Sequence, residues 1–529
     1  MSSQTLNNPN HVTSTSLSAD ISRRVTLGSL AVIIGQGINV FRQIVLVPLC
    51  LWVWGVQLYG EWLALYAMIA YLSILDFGMQ MYVVNRLNQC YSVNRLSDYN
   101  RILHSALVLY LSIAVVAGIF ISGFIVSVPI EQWLNFDLMD HSVAAVVAIL
   151  LAVQLIFSIP QGLILGLYRT FGEFPRGATI RNIQQILIFG LMALTLLLGG
   201  NVVHVAAIQL IPLAGVTAFV LSDIRRRRPE IKIGFKEADW SLAVTFLGPS
   251  LLFFLIQISG VVTIQGSMLV VSTLAGSAYV AVFAVHRTLA NFVRQIVGAL
   301  TNALWPELTS LEAMGDYYRL RDVHRLFVKV SFAICVFAGI WLHFVGRDII
   351  SLWTRDRISF DQQLFDVFLL YLILQAPWLA SSVFPAAFNQ HRNLAVCYIV
   401  SSVLGLTLSV LLFRFFGIAG VAMGVLIADL LVCGWIVPFQ TCRMLGESIR
   451  RFWFEVVMRG QPVILAVWGC AWVLQSIMLS SAGRILTIGL TTGLLGMVLG
   501  YVFWLDKTER LQVLGAGMAL WNKMMNRTW

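Results

Sequence analysis

Charge is what this chain most lacks. Of its 529 residues only 11% are charged, while 59% are hydrophobic; an ordinary soluble protein carries about 25% charged residues. A water-soluble chain of this length could not cover its surface with so little charge, and the mean hydropathy of +0.83 agrees. A soluble enzyme, a disordered protein and a secreted disulfide scaffold are excluded, which leaves a polytopic membrane protein. Cysteine is also sparse. Cys50, Cys90, Cys335, Cys397, Cys433, Cys442 and Cys470 mostly fall inside apolar runs, and none forms a CxxC pair. Neither a disulfide framework nor a metal site is expected. Catalytic signatures are missing too: there is no GxSxG, no HExxH, no Walker lysine loop, and no outer loop long enough for a glycan polymerase or ligase. The expectation is a non-enzyme with no catalytic residue and no resident cofactor.

What the chain has is apolar length. A membrane-crossing helix needs about 20 apolar residues. Fourteen segments qualify: 25–52, 57–84, 102–127, 142–167, 181–199, 202–222, 241–273, 277–304, 326–346, 363–388, 393–413, 416–438, 463–481 and 485–505. Lys and Arg set their orientation. With the N-terminus in the cytoplasm, and with Arg181 and Lys329 at the inner edges of their segments counted there, 27 of the 35 basic residues fall in cytoplasmic segments and 5 in outer loops. The remaining three, Arg42, Arg287 and Arg294, lie within spans. One missed span would invert every later loop, so the asymmetry implies an N-in, C-in chain. The net charge of +10 then reads as topology signals and contacts to anionic lipid, not as a nucleic-acid surface.

Three pairs of segments suggest an internal duplication. Gly55 to Tyr59 is matched by Gly276 to Tyr279, Pro160 to Arg169 by Pro385 to Arg392, and His204 to Ala207 by Gly420 to Met423. The fold expected is all-α, with about 14 transmembrane helices in two pseudo-symmetric six-helix halves plus two C-terminal helices. Residues 1–24 read as a disordered cytoplasmic tail, 25–222 as the N-terminal half and 223–240 as a basic cytoplasmic linker. Residues 241–438 read as the C-terminal half, 439–505 as a cytoplasmic loop plus helices 13 and 14, and 506–529 as an amphipathic cytoplasmic tail. An even helix number per half makes the halves parallel, and transporters built this way bind substrate between them.

Charges inside spans are costly, about 2.5–3.5 kcal/mol on insertion scales, so each is a functional candidate. In segment 277–304, Arg287, Asn291, Arg294 and Gly298 recur at i, i+4, i+7, i+11, one polar stripe down an apolar helix. Gln36, Asn39, Arg42 and Gln43 form a weaker counterpart in the first segment. At about 1.5 Å per residue, Arg42 and Arg287 both lie roughly 15 Å from the outer boundary. Arginine stays charged when desolvated and binds phosphate bidentately. The stripes therefore point to a cationic cavity for an anionic headgroup, or to arginines that snorkel or pair with Glu61. Asp429 lies near mid-membrane with no partner apparent in the sequence, and Asp76 lies low in the second segment. Both are candidates for coupling to an ion, or carboxylates satisfied across the bundle. In the last segment, Gly489, Gly493, Gly496 and Gly500 permit close helix packing, within the chain or between copies.

Leu58 to Trp62 followed by Tyr71 to Gly78, Ala278 to Phe283 running through Arg287 to Trp305-Pro306-Glu307, and Pro160 with Gly162 to Gly166 together resemble signatures of bacterial polysaccharide-transport proteins. These are the O-antigen and lipid-linked oligosaccharide flippases of the multidrug/oligosaccharidyl-lipid/polysaccharide exporter superfamily. The resemblance extends over most of the chain. It implies a bacterial inner-membrane transporter carrying a glycan on a polyprenyl diphosphate from the inner to the outer leaflet by alternating access. It further implies coupling to a proton or sodium gradient or to the membrane potential, and contact with other polysaccharide-assembly proteins. A multidrug exporter of the same superfamily is the main alternative, a membrane glycan polymerase the second. Which glycan is carried is not readable from these residues.

Overall fold

The computed structural model describes residues 11–511 apart from 389, 391, 478 and 479, and every regular element in that range is helical. Among the described residues, seventeen α-helices follow in chain order. They are α1 (His11–Ala70), α2 (Met79–Ser92), α3 (Leu96–Ser127), α4 (Ile130–Trp133), α5 (His141–Thr170), α6 (Phe174–Leu197), α7 (Val202–Ile208), α8 (Leu210–Arg227), α9 (Trp240–Val244), α10 (Leu247–Ala275), α11 (Ser277–Ala313), α12 (Tyr317–Thr354), α13 (Gln362–Ala387), α14 (Arg392–Leu445), α15 (Ile449–Val456), α16 (Gln461–Ile477) and α17 (Ser481–Leu499). Among the described residues, eleven stretches are long and apolar enough to cross a membrane. The protein is a multi-pass membrane protein. Two of the stretches, Leu30–Ser92 and Arg392–Leu445, run 63 and 54 residues, far more than one crossing needs. Each is broken at a glycine, Gly55 (φ 76°) and Gly417 (φ 56°). Gly276, before α11, has φ 94° and ψ 161°, close to the 76° and 178° of Gly55. The two turns paired in the sequence thus share one backbone conformation, open to glycine because it has no Cβ.

The chain divides into two compact units. The first comprises Met1–Leu49, Leu72–Ile130 and His141–Phe254. Along α3, Tyr99, Leu103, Ala106 and Tyr110 are buried at helical spacing, while Ile119 and Phe120 are 69% and 75% exposed. Such an apolar outer face suits hydrocarbon, not water. The basic segment after α8 is not a loose loop. Asn100 accepts from the Lys232 amide, His104 accepts from Glu237 N and contacts the Lys232 carbonyl, and Ser105 accepts from Asp239 N. Arg101 pairs with Asp239 at 2.5 Å, and Arg227 and Arg228 pair with Glu173. The linker is therefore a strap bound to α3, with Arg225 and Arg226 left exposed.

The second unit comprises Cys50–Tyr71, Glu131–Asp140 and Leu255–Trp529. Here Gly60 lets α1 approach α11 so closely that a Cβ would lie 1.9 Å from the Ser277 carbonyl oxygen. Glu61, fully buried, accepts the backbone N–H groups of Asp137, Leu138 and Met139 at 2.8 Å each. Its carboxylate anchors this turn, so Glu61 is engaged by backbone amides and not by an arginine of the spans. On α17 a Cβ at Gly496 would meet the Phe337 ring at 2.7 Å and one at Gly489 the Trp341 indole at 2.9 Å. Those two glycines serve packing within the chain, against α12. Helix α1 begins at His11, inside the stretch read as a disordered tail. Residues 1–10 lie outside the described residues, as do 512–529, which carry most of the expected amphipathic tail.

Candidate functional site

A cavity of about 350 Å³ opens inside the second unit, among α10, α11, α13 and α14. The polar stripe of α11 faces it, because Arg287, Asn291 and Arg294 share one side of the helix. The opposing wall carries Tyr371, Gln375 and Trp378 of α13, with Tyr398 and Asp429 of α14. Three of the four stripe residues read from the sequence thus line one cavity; Gly298 is not in its wall. Asp429 lines it too, a convergence that sequence reasoning missed. The α13 residues were missed as well, although their i, i+4, i+7 spacing in an apolar helix is the same kind of signal.

Each charged group is held differently. Arg287 is half-buried, and its Nη1 donates to the Ile264 carbonyl on α10 at 2.8 Å. Its Nη2 meets the Met268 sulfur at 2.9 Å, and the guanidinium sits 5.7 Å from the centre of the Phe283 ring. These contacts fix the head group while leaving it without a carboxylate. Among the described residues, neither Arg287 nor Arg294 has a carboxylate oxygen within 4.0 Å. Asp429 is buried and is not the lone carboxylate expected. Tyr371 donates to Oδ2 at 2.5 Å and Ser401 donates to Oδ1. Arg294 lies within electrostatic reach of both Asp429 and Arg287. The cavity therefore contains two cations and one carboxylate whose oxygens are engaged by hydroxyls.

The other candidates lie in the first unit. Arg42 donates to Asn39 Oδ1 at 3.0 Å, so the two residues singled out in the first segment do meet. Asp76 accepts from Tyr110 at 2.8 Å and from the backbone N–H groups of Gly78 and Gln80. It closes the start of α2 after the left-handed residues Phe77 and Gly78. Its acceptors serve that turn, a local role that the sequence did not reveal.

No family model matches the sequence, and no curated protein does. Solved structures do. The chain superposes on the lipid II flippase MurJ, inward closed conformation, with a TM-score of 0.69 at 15% identity; the match covers 90% of this chain and 99% of that one. An inward-facing multidrug resistance MATE family transporter of the MOP superfamily matches with a TM-score of 0.64 at 16% identity, over 77% of this chain and 94% of that one. An outward-facing counterpart gives 0.57 at 17% identity, over 80% and 96%. Taken with the all-helical architecture, these likenesses establish that the chain has the fold of the MurJ flippase and the MATE transporters of the MOP superfamily.

Proposed function

We propose that this protein is a flippase. It moves a polyprenyl-diphosphate-linked oligosaccharide from the inner to the outer leaflet of the bacterial cytoplasmic membrane by alternating access, for surface polysaccharide assembly. The observation that carries this reading is the cavity: Arg287 and Arg294, neither salt-bridged, face amide and aromatic side chains. Guanidinium groups bind phosphate oxygens bidentately. Asn291 and Gln375 supply donors and acceptors for sugar hydroxyls, and Trp378 and Tyr398 supply flat apolar faces for sugar rings. Ligand pockets run from roughly 300 to 1,000 Å³, so a cavity of about 350 Å³ suits the diphosphate and first sugar, with the polyprenyl tail left in lipid. Arg42 and Asn39 are proposed as further headgroup contacts.

Asp429 and Asp76 are proposed as groups through which a proton or sodium gradient, or the membrane potential, drives the cycle. The N-in, C-in orientation, contacts of the basic strap with anionic lipid and association with other polysaccharide-assembly proteins belong to the same proposal. The second reading is a multidrug exporter, favoured by one observation, the Asp429 carboxylate in the cavity wall. Deleting the gene separates the two. A flippase deletion accumulates lipid-linked glycan on the cytoplasmic side and loses surface glycan. An exporter deletion leaves both unchanged and sensitises the cell to cationic drugs.

A further inference from the structure

Away from the cavity, three donor groups of different chemistry meet inside the second unit. His324 of α12, Cys442 near the end of α14 and Glu447 just beyond it each present one ligand atom, and these atoms all lie within 4.8 Å of one another. The backbone dictates part of this. Gly446 adopts φ 65°, the Gly446 amide donates to the Arg443 carbonyl and the Glu447 amide to the Cys442 carbonyl at 2.7 Å. That pair of bonds is a Schellman cap, and it sets Glu447 beside Cys442. The imidazole is locked by rings on two sides: it stacks on Phe452 at 5.1 Å and 9°, and meets the Phe384 edge at 4.8 Å.

The hydrogen bonds assign the tautomer. Ser381 Oγ commits its one proton to the Pro377 carbonyl at 2.8 Å. With its proton on that carbonyl, Ser381 Oγ accepts from His324 Nε2, 3.0 Å away. Nε2 therefore carries the hydrogen, and in a neutral ring the lone pair sits on Nδ1. That lone pair faces Glu447 Oε2 at 3.4 Å. A neutral imidazole and a carboxylate gain nothing in this arrangement, and an imidazolium would draw the oxygen to about 2.7–2.9 Å. Two ligands held about 2.0–2.2 Å from a tetrahedral Zn²⁺ sit roughly 3.4 Å apart. Arg325 engages the other oxygen, Oε1, which orients the carboxylate and leaves Oε2 free. A second partner on each ligand is the usual setting of a metal site.

We propose that His324 Nδ1, Cys442 Sγ and Glu447 Oε2 form a binding site for a divalent transition-metal ion of the zinc type. The mixed sulfur, nitrogen and oxygen set excludes Mg²⁺ and Ca²⁺, which take oxygen ligands. Binding converts the Cys442 thiol to a thiolate and releases one proton, and leaves a fourth position for water. The ion would clasp α12 to the junction of α14 and α15. It has no part in the cavity chemistry, so the site stands or falls independently of the proposed transport.

The test uses the full-length protein in detergent, stripped with a chelator and titrated with Co²⁺. The expected result is one equivalent bound, with a thiolate-to-cobalt band in the near ultraviolet and the visible bands of a tetrahedral ion, both lost on adding Zn²⁺. C442S should lose the near-ultraviolet band, and H324Q should lose the visible ones. In wild type, Zn²⁺ should slow alkylation of Cys442, read by mass spectrometry, at least tenfold. Folded wild type that shows no cobalt–thiolate band, or a band retained in C442S, would overturn the proposal. The wild-type titration and the alkylation rate decide the matter even if a variant fails to fold.

Discussion

Replacing Arg287 tests the transport proposal most directly, because the structure separates what the residue does for folding from what it offers a ligand. Its protein contacts are a hydrogen bond to the Ile264 carbonyl, a longer one to Ser267 Oγ at 3.4 Å, a sulfur contact and an aromatic face. No carboxylate is left unpaired when it goes. Arg287→Gln should therefore cost at most about 1.5–3 kcal/mol of stability, the worth of one hydrogen bond from a charged group, less what the Gln amide recovers by donating to the same carbonyl. Ligand binding loses an interaction of that size without such recovery. One lost charge-assisted hydrogen bond is worth about 1.5–3 kcal/mol, or roughly 10- to 150-fold in affinity. Arg287→Lys should fall in that range: lysine keeps the charge, but with one donor on the Ile264 carbonyl it cannot present a parallel pair to phosphate. Arg287→Glu reverses the charge. A phosphate oxygen about 4 Å from a unit charge interacts by about 4 kcal/mol at an effective dielectric of 20, so the sign change should abolish transport.

The assay is surface glycan display in a deletion strain carrying each variant, with membrane protein level measured alongside. The expected order is wild type, then Lys and Gln strongly reduced, then Glu at background, all at comparable protein levels. Normal display from well-expressed Arg287→Glu would refute a phosphate-binding role. Loss of protein in the Gln variant would show that the residue holds the fold.

Asp429→Asn should reduce transport more than stability, because the Tyr371 and Ser401 hydroxyls can turn to accept from the new amide; normal flipping with normal response to pH and sodium would mark the carboxylate as structural. Lys329 and Glu509 form a buried pair at 2.6 Å. Glu509→Gln should lower stability by about 3–5 kcal/mol by stranding the lysine, and Lys329→Met with Glu509→Leu should recover most of it; thermal unfolding in detergent measures both. A cysteine at exposed position 226, with the exposed Cys470 removed, should label with an impermeant thiol reagent only from the cytoplasmic side. Asp239 is held below the usual carboxylate range by the hydrogen bond from Arg101, then by the Leu242 amide. The strap contact should be fully present above about pH 4 and weaken as pH falls through the lowered value. Asp239→Asn should loosen it at neutral pH, read as faster hydrogen exchange over residues 232–239.

The features that could be read in the sequence are those set by local periodicity. Apolar runs marked the chain as a multi-pass helical membrane protein because a helix in lipid satisfies its own backbone and leaves composition as the signal. The Arg287, Asn291, Arg294 stripe could be read because three residues spaced 3.6 per turn must share a side. Asp429 could not be joined to it. It lies 135 residues from Arg294, and only the packing of α11, α13 and α14 brings the two to one cavity. Glu61 shows the same limit in reverse. It was one of the partners open to the arginines of the spans, yet its carboxylate accepts from three amides of residues 137–139. The basic linker read as bare charge because its acceptors, Asn100, His104 and Ser105, sit on a helix more than 120 residues earlier. Donor-rich backbone and polar side chains find each other through tertiary packing, which spacing along the chain does not encode.

The charges in the cavity also explain how the second unit tolerates them without a ligand. Asp429 has its oxygens engaged by Tyr371 and Ser401, and Arg294 stands near it without direct contact, so the carboxylate partly offsets that cation while leaving its donors free. Arg287 is held by a carbonyl, a hydroxyl at 3.4 Å, a methionine sulfur and a ring face, none of them a charged partner. The site thus sets two guanidinium groups against one carboxyl group, held by groups that satisfy each cation incompletely. A buried salt bridge in its place would be costly to open, since removing one partner strands the other at about 3–5 kcal/mol. An anionic headgroup entering this cavity meets donors already positioned and breaks no ion pair to reach them. A cationic drug would face two arginines across from a single carboxylate. The balance of charge therefore favours the phosphate-bearing substrate, and Asp429 fits better as the group that responds to an ion than as the one that grips the cargo.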